Sequence, residues 1–252
     1  MKKLLYILGA LFVVTVIAVV IIIAKLGTIV KTAVNRVGPT ITQTTFVLNG
    51  ADISPFSGKG TLKELTIGNP KGWTTEHAFF LKEISIDLEP KSLTADHIVI
   101  NSVLIDNPEI IYETTITNSN LQDLLKNIQS GGNQPAQAEK KPEAKPETQA
   151  QPEAKPAKET KIEIKSFRLV NVTLKVAAAG NVYTAKIPDL IMNDLGTKEG
   201  GLTPEQLSIA ILKEIASQAS QAALKSTATS GLKDKAIEKA GEGLRSLLGG
   251  KK

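Results

Sequence analysis

The chain opens with an apolar run and then changes to alternating apolar and polar positions. Residues 4–24 contain no charged side chain and, apart from Tyr6 and Thr15, almost nothing polar. As a helix rising about 1.5 Å per residue, this run spans roughly 30 Å, the thickness of a bilayer core. A cleaved secretory signal has a shorter apolar core of about 7 to 15 residues followed by a small-residue cleavage region, which is missing here. The run therefore predicts one transmembrane helix that stays attached.

Residues 40–128 form a β-rich region. Between residues 41 and 112 its pattern has a period of two, which is typical of strands with one buried face. Ile84, Ile86 and Leu88 alternate with polar residues, and Ile98 and Ile100 continue the alternation. Sequences typical of turns separate the segments: Asn49-Gly50, Ser57 to Gly60, Gly68 to Gly72, Glu89 to Ser92, and Asp106 to Pro108. The region therefore predicts a curved antiparallel sheet, a meander with one apolar face, closed by a short helix over residues 121–128.

Residues 131–160 interrupt this pattern. They contain no aromatic residue and no valine, leucine or isoleucine, so they cannot bury enough apolar surface to offset the entropy of ordering. We interpret them as an extended spacer whose loss, tested by deleting residues 134–158, should leave the fold intact. Strand patterning resumes over residues 161–195, with a hairpin at Gly180-Asn181. Because strands flank it on both sides, the spacer is predicted to be a loop inserted in one sheet.

Helical patterning takes over in residues 203–248. Thr203, Pro204 and Gln206 form a helix start with a capping box. Apolar residues then recur at spacings of three and four, which predicts one amphipathic helix: Leu207, Ile211, Ile215, Ala219 and Ala222. A second stripe over residues 232–248 predicts another helix, which Gly241 and Gly243 make marginal on its own. The sequence thus predicts a mainly β fold with two C-terminal α-helices.

The net positive charge of the chain comes from residues that flank the predicted anchor. The formal net charge is +5, with an isoelectric point near 9.2. Five cations that flank the apolar run account for the excess, namely Lys2, Lys3, Lys25, Lys31 and Arg36. This distribution argues against nucleic-acid binding, which needs a basic patch, and favours contact of residues 1–3 and of a connection over residues 25–39 with anionic headgroups. Cations on both sides leave the orientation of the anchor undecided.

Candidate chemistry is sparse. The chain has no cysteine, and His77 and His97 lie in no metal-binding motif, so we expect both histidines to be solvated. No nucleophile elbow or phosphate-binding loop is present, and the carboxylates are scattered along predicted strands. We therefore expect no enzymatic activity, no cofactor and no metal site. An anchored hydrolase that uses two of the carboxylates is a minor alternative.

The order of these features resembles the AsmA-like family of bacterial envelope proteins. The resemblance rests on the N-terminal anchor and on a series of short segments that cover most of the chain outside the spacer and the last helix: Ser54 to Leu62, Leu65-Thr66-Ile67-Gly68-Asn69-Pro70-Lys71-Gly72-Trp73, Ile84 to Leu88, Ile98 to Ile100, Ile105 to Glu113, Ile187 to Leu190, Asp194 to Gly196 and Gly200 to Glu205. It implies a single-pass protein of the bacterial inner membrane, with its N-terminus in the cytoplasm and a periplasmic domain. It also implies a part in outer-membrane and envelope lipid homeostasis, with a β-groove through which acyl chains pass. This chain is shorter than the long members, so bridging two membranes would require self-association or a partner.

Two hypotheses follow, because the apolar face of the sheet must be covered. In the first, the sheet binds or passes lipid from the inner membrane, such as phospholipid acyl chains. The candidate lining residues are Ile84, Ile86, Leu88, Ile98 and Ile100. In the second, the protein is an envelope scaffold or interaction module whose own helices fill the sheet through Leu207, Ile211, Ile215 and Leu244.

Overall fold

A computed structural model describes residues 25–95, 97–115, 117–131 and 160–229. Within them, nine strands form one curved sheet, an open half-barrel. The strands are β1 (Phe46–Ile53), β2 (Lys59–Ile67), β3 (Phe79–Leu88), β4 (His97–Asp106), β5 (Glu109–Thr114), β6 (Lys161–Val170), β7 (Thr173–Ala178), β8 (Asn181–Lys186) and β9 (Leu190–Leu195). The α-helices are α1 (residues 25–42), α2 (Asn120–Gly131) and α3 (Pro204–Thr229), and a 3-10 helix covers Pro90–Thr94.

The prediction of a mainly β fold with a C-terminal helix is confirmed. The helix predicted over residues 121–128 is α2, and α3 begins at the predicted capping box. There the Thr203 amide donates to Gln206 Oε1 at 2.9 Å, and the Gln206 amide donates to Thr203 Oγ1 at 3.3 Å. Two otherwise unpaired amides at the helix start are thereby satisfied.

Several strands that are consecutive in the chain run end to end in the same direction instead of forming a hairpin. β4 and β5 both pair antiparallel with β3, and β6 and β7 run parallel to β4 and β5. The register is the same on both sides of the break, from His97 opposite Lys161 to Thr114 opposite Ala178. β9 and β8 then pair antiparallel with β6 and β7. Each such pair of strands is therefore one long strand with a bend.

A line of left-handed residues produces the bend. Glu64, Asn107 and Asn171 have φ angles of 53°, 53° and 54°, and the register places them level with one another across the sheet. The side chains change faces across this line, although the register does not shift there. Accordingly Leu81 and Ile84 of β3, three positions apart, are both buried. We call this line the crease.

Two segments predicted to be turns lie on the crease. Asn49-Gly50 lies inside β1, and Asp106 to Pro108 connects β4 to β5 without reversing the chain. Both predictions are wrong. At Asn107 the reason is that asparagine tolerates left-handed backbone, which a bend within a strand needs as much as a reversal does. At Asn49-Gly50 neither residue has a positive φ, and the left-handed residue at this level is Glu64 on β2. The hairpin predicted at Gly180-Asn181 does reverse the chain, between β7 and β8.

The prediction of a wholly antiparallel sheet is also wrong. β4 is parallel to β6, and β5 is parallel to β7. Parallel neighbours require a crossover connection that returns the chain to the starting end. The segment from α2 through residues 132–160 makes that connection, so strands before and after the spacer belong to one sheet.

The helices cover one face of the sheet, here called the inner face. α3 buries Leu207 and Ile215, as predicted, in the same core as the strands. Ile211 and Ala222 of the predicted stripe are only partly buried, while Leu212 is buried beside them. The covering role of α3 was therefore predictable, although the centre of its buried stripe is rotated by about one residue.

α1 closes the edge of the sheet at β1. The Leu48 amide donates to Asn35 Oδ1 at 2.6 Å, and Asn35 Nδ2 donates to the Leu48 carbonyl at 3.0 Å. Glycine permits close approach at Gly27, beside the Ala51 carbonyl, and at Gly38, beside the Phe46 ring. The unpaired edge of β1 is thus protected by a helix instead of another strand.

The connection predicted over residues 25–39 is helical. The helix continues past Gly38-Pro39, where the predicted connection ended, to residue 42. Pro39 lacks the amide that would otherwise donate to the Asn35 carbonyl. Beyond this point the helix is stabilised by hydrogen bonds from the Thr42 hydroxyl to the Gly38 carbonyl and from the Gln43 amide to the Pro39 carbonyl.

Several predicted segments lie outside the described residues. They are residues 1–3, the apolar run 4–24, nearly all of the spacer 131–160, and the second amphipathic helix with Leu244. Among the residues that the structure does describe, no helix combines the length and apolar character needed to cross a membrane.

Candidate functional site

The five predicted lining residues share the inner face of the sheet. Cross-strand partners point to the same face, and the register pairs Ile84 with Ile105, Ile86 with Val103, Leu88 with Ile100, and Ile98 with Ile162. Ile84 is buried at 6% exposure, whereas the other four are half-buried. The sheet thus brings the predicted residues together, although the role we assigned to them stays a prediction.

One end of the inner face is sealed by helices. Ile110, Leu174 and Val176 are 0% exposed there, under α2 and α3. From α2, Leu121 and Leu124 pack into the same core at 0% and 1% exposure. These five described side chains therefore leave almost no apolar surface exposed to a ligand.

The opposite end of the inner face is less well covered. Ile164, opposite Ile100 and Leu195, is buried there at 6% exposure, but the apolar side chains around it are half-buried, namely Leu88, Ile98, Ile100, Ile162 and Leu195. Ile86, Ile100, Ile162 and Leu195 contact the core, and Leu202 at the start of α3 covers part of the area. We call this region the open end. It carries four of the five predicted lining residues when Ile86, next to it on β3, is included.

The start of α1 points toward the open end. α1 runs antiparallel to β1, because Gly27 lies against Ala51 and Gly38 lies against Phe46. From Gly27 to Gly38 the helix rises about 16 Å, and from Phe46 to Ala51 the strand spans about the same distance. The axes of α1 and β1 are therefore nearly parallel. Residues before 25 therefore leave the described part of the chain on the side of Ile53, which is level with Ile86 and Val103.

A polar cluster at the sealed end fixes the loop between β2 and β3. Asn69 Nδ2 donates to the Thr75 carbonyl at 2.7 Å, and Asn120 Nδ2 donates to Asn69 Oδ1 at 2.8 Å. Trp73 Nε1 donates to Asp123 Oδ2 at 3.0 Å. Trp73 therefore joins this loop to α2. The sequence clue was the segment Asn69-Pro70-Lys71-Gly72-Trp73, which we had assigned to a turn and to the family resemblance but not to a contact with α2.

The carboxylates of this cluster are held ionised. Burial raises the pKa of Glu113, but hydrogen bonds from the amides and hydroxyls of Thr75 and Thr74 outweigh it and bring the pKa below its ordinary value. Burial likewise raises the pKa of Asp123, and bonds from Asn118, Lys126 and Trp73 lower it overall. These are structural anions, because their acceptor oxygens are already occupied by the protein.

The family can be stated once this geometry is known. The model of the AsmA family matches residues 1–198. The chain belongs to the AsmA family. A search of curated proteins and a search of solved structures found no match. The family membership supports a protein associated with the cell envelope.

The histidines of this AsmA family chain differ from our expectation. His77 is buried at 8% exposure, and its Nε2 lies 3.1 Å from Glu109 Oε1. Glu109 also accepts a bond from Lys175 Nζ at 2.7 Å, which, with His77, lowers the Glu109 pKa. His97 is partly exposed, 3.6 Å from Glu163. The prediction that both are solvated is wrong for His77, because β5 and β7 bring Glu109 and Lys175 to it.

A cavity of about 790 Å³ lies near the open end but on the outer face. The side chains of Asp52, Thr61 and Ser85 line it, in one cross-strand row that alternates with the inner-face row. Ile86 touches this cavity, whereas Leu88, Ile98 and Ile100 do not line it. Its walls are about equally polar and apolar, which makes it a different site from the apolar inner face.

Proposed function

We propose that this protein is a non-enzymatic, membrane-anchored envelope protein that binds lipid acyl chains at the open end of its inner face. In this proposal residues 4–24 cross the bacterial inner membrane, residues 1–3 are cytoplasmic, and the sheet lies in the periplasm. The protein would serve outer-membrane and envelope homeostasis. The observation that carries the proposal is the position of the half-buried apolar residues at the end where α1 receives the chain from the predicted anchor.

The physical chemistry of the open end suits an acyl chain. Burial of apolar surface contributes about 25 cal/mol per Å², or about 0.8 kcal/mol for each methylene. A few methylenes laid along Leu88, Ile98 and Ile100 would therefore stabilise a complex by several kcal/mol. Lipid is the apolar ligand available at the end of a sheet that meets a bilayer, and no polar specificity group is required.

A scaffold without lipid is the second candidate, and α3 favours it. Leu207, Leu212 and Ile215 bury themselves against the sheet, at 5%, 5% and 6% exposure, so most of the inner face is already covered by the chain itself. A short sheet sealed at one end could hold acyl chains only near the membrane. Passing lipid across the envelope would require self-association or an envelope partner, which is part of the proposal.

Photo-crosslinking in the native membrane tests the proposal. A photoreactive residue is placed in the full-length chain at Ile98 or Ile100, and at Val99 as the matched control, because Val99 is next in the same strand on the opposite face and is also half-buried. We expect mass spectrometry to detect phospholipid adducts at positions 98 and 100 and not at 99. Absence of lipid at all three positions would favour the scaffold, and equal labelling at all three would reject binding by the inner face.

A further inference from the structure

Two connections between strands meet beyond the open end. The β1–β2 turn, residues 54–58, contacts the link from β3 to β4, residues 89–95, because Gly58 lies against Pro90. The Leu88 amide at the end of β3 also donates to the Gly58 carbonyl at 2.9 Å. Gly58 has a φ of 73° and lies against Leu88 and Pro90, where a larger residue would collide. The two connections therefore form one rigid projection, which we call the tip.

The tip exposes large apolar side chains. Phe56 is 80% exposed at the apex of the first connection, and Leu93 is 47% exposed on the second. Among the described residues, Phe56 is the most exposed large hydrophobic side chain. An aromatic ring held on a rigid turn in water loses the free energy that burial would provide, so a pair of such residues on one projection indicates a contact surface.

The tip extends beyond the level at which the predicted anchor ends. Gly27 lies level with Ala51, so Lys25 lies about 3 Å farther toward the open end. The apex at Phe56 lies about five strand residues beyond Ala51, or roughly 15 Å at most. Phe56 therefore reaches on the order of 10 Å past Lys25 in the direction of residue 24 and the residues before it.

We infer that the tip inserts Phe56 and Leu93 into the interface of the bilayer in which the chain is anchored. This inference rests on the anchor in the proposed function and adds a second membrane contact to it. With Lys25 at the headgroups, a projection of this depth reaches the boundary of the acyl chains, where aromatic and aliphatic side chains are stable. Insertion seats the open end directly against lipid.

Charge contributes little to this contact. Lys59 and Lys91 are offset by Asp87, which is opposite Lys59 in the register, and by Glu89. Hydrophobic insertion is therefore the main interaction, and the depth of the tip should be the same in neutral and in anionic membranes.

Spin-label accessibility measures the depth of the tip. The chain has no cysteine, so Phe56→Cys and Leu93→Cys each provide a single site in the full-length protein, reconstituted in phosphatidylcholine vesicles. Val182→Cys is the matched control, because Val182 is 63% exposed at the β7–β8 hairpin, far from the open end. We expect the ratio of accessibility to oxygen over that to a water-soluble nickel complex to be several-fold higher at positions 56 and 93 than at 182.

Other environments of the tip give different accessibilities of the spin labels. Ratios at positions 56 and 93 equal to that at 182 overturn the inference, because the tip is then in water. Low accessibility to both reagents indicates a protein partner, and spin–spin broadening indicates a second copy; either result overturns it as well.

The same samples separate this inference from the proposed function. Resistance of the protein to alkaline carbonate extraction reports the anchor alone, so an anchored protein with a solvated tip rejects only the inference. A buried tip together with no lipid adduct at positions 98 and 100 rejects acyl-chain binding and leaves the inference standing. A protein released by carbonate rejects both.

Discussion

Single buried polar side chains hold the sealed end of the sheet together. Asn120 accepts from the Glu113 amide at 3.0 Å and donates to the Ile111 carbonyl at 2.8 Å, so one side chain joins β5 to α2. It is 0% exposed, and removing its side chain would leave these buried backbone groups without their hydrogen bonds. Such residues hold the sealed end, and with it the orientation of α2 over the inner face.

Glu113 makes stability depend on pH. Its folded pKa lies below the ordinary value of 4.5, so its contribution is present above pH 4.5 and is lost as the pH falls through the folded pKa. In Glu113→Gln one acceptor becomes a donor facing Thr74 and Thr75, and we expect a loss of about 1 to 3 kcal/mol at pH 7. Chemical denaturation of the full-length protein in detergent measures it.

The difference between Glu113→Gln and the wild type should be smaller at pH 3 than at pH 7, because acidification toward the lowered pKa of Glu113 favours protonation of the wild-type carboxylate. Glu199→Gln, in an exposed turn, is the control and should change stability by less than about 0.5 kcal/mol. An equal loss at pH 3 and pH 7 would contradict a role for the charge of Glu113.

At the scale of elements, the crossover explains why a long spacer is needed. Gly131 lies against the carbonyls of Thr40 and Ile41, beyond the start of β1, whereas Lys161 lies opposite His97. The two ends are separated by about 14 residues of strand, or roughly 45 Å along the sheet. The connection therefore has a minimum length that composition alone does not reveal.

A deletion series tests this minimum. Removing residues 134–158 leaves four residues between α2 and β6, which span at most roughly 18 Å. We now expect that variant to lose cooperative unfolding, contrary to the expectation from composition. Removing residues 143–152 leaves a connection that can span roughly 60 Å and should keep the wild-type thermal transition. A normal transition in the longer deletion would refute the crossover.

For the whole molecule, the central property is a gradient of cover along one apolar face. The sealed end lies under α2 and α3, the β1 edge lies under α1, and the open end lies beside the tip. The sheet and its helices thus give the molecule a sealed pole and an open pole, and in the proposed function the open pole faces the membrane. The proposed lipid contact needs that polarity.

A pair of matched truncations measures the gradient. Leu174 is 0% exposed under the helices, so Leu174→Ala should cost about 2 to 5 kcal/mol of unfolding free energy. Ile100→Ala removes the same number of carbons from a half-buried site and should cost about 1 kcal/mol. Urea denaturation of the full-length protein in detergent checks both values. Equal losses would mean that the open end is as well packed as the sealed end.

The sequence by itself determined the properties that local chemistry controls. Alternation predicted that Ile84, Ile86 and Leu88 share one face, and the capping residues Thr203 and Gln206 predicted where α3 begins, because period and capping are set by neighbours in the chain. The same local code could not tell a bend from a reversal at Asn107, since both need left-handed backbone.

Only the tertiary structure decided which strands are neighbours, and therefore where the inner face is sealed and where it is open. The parallel pairing of β4 with β6, the partners of His77 and the position of α1 on the β1 edge all join residues far apart in the chain. Pairing across such distances depends on the total burial and hydrogen bonding of the folded chain, which no short segment encodes.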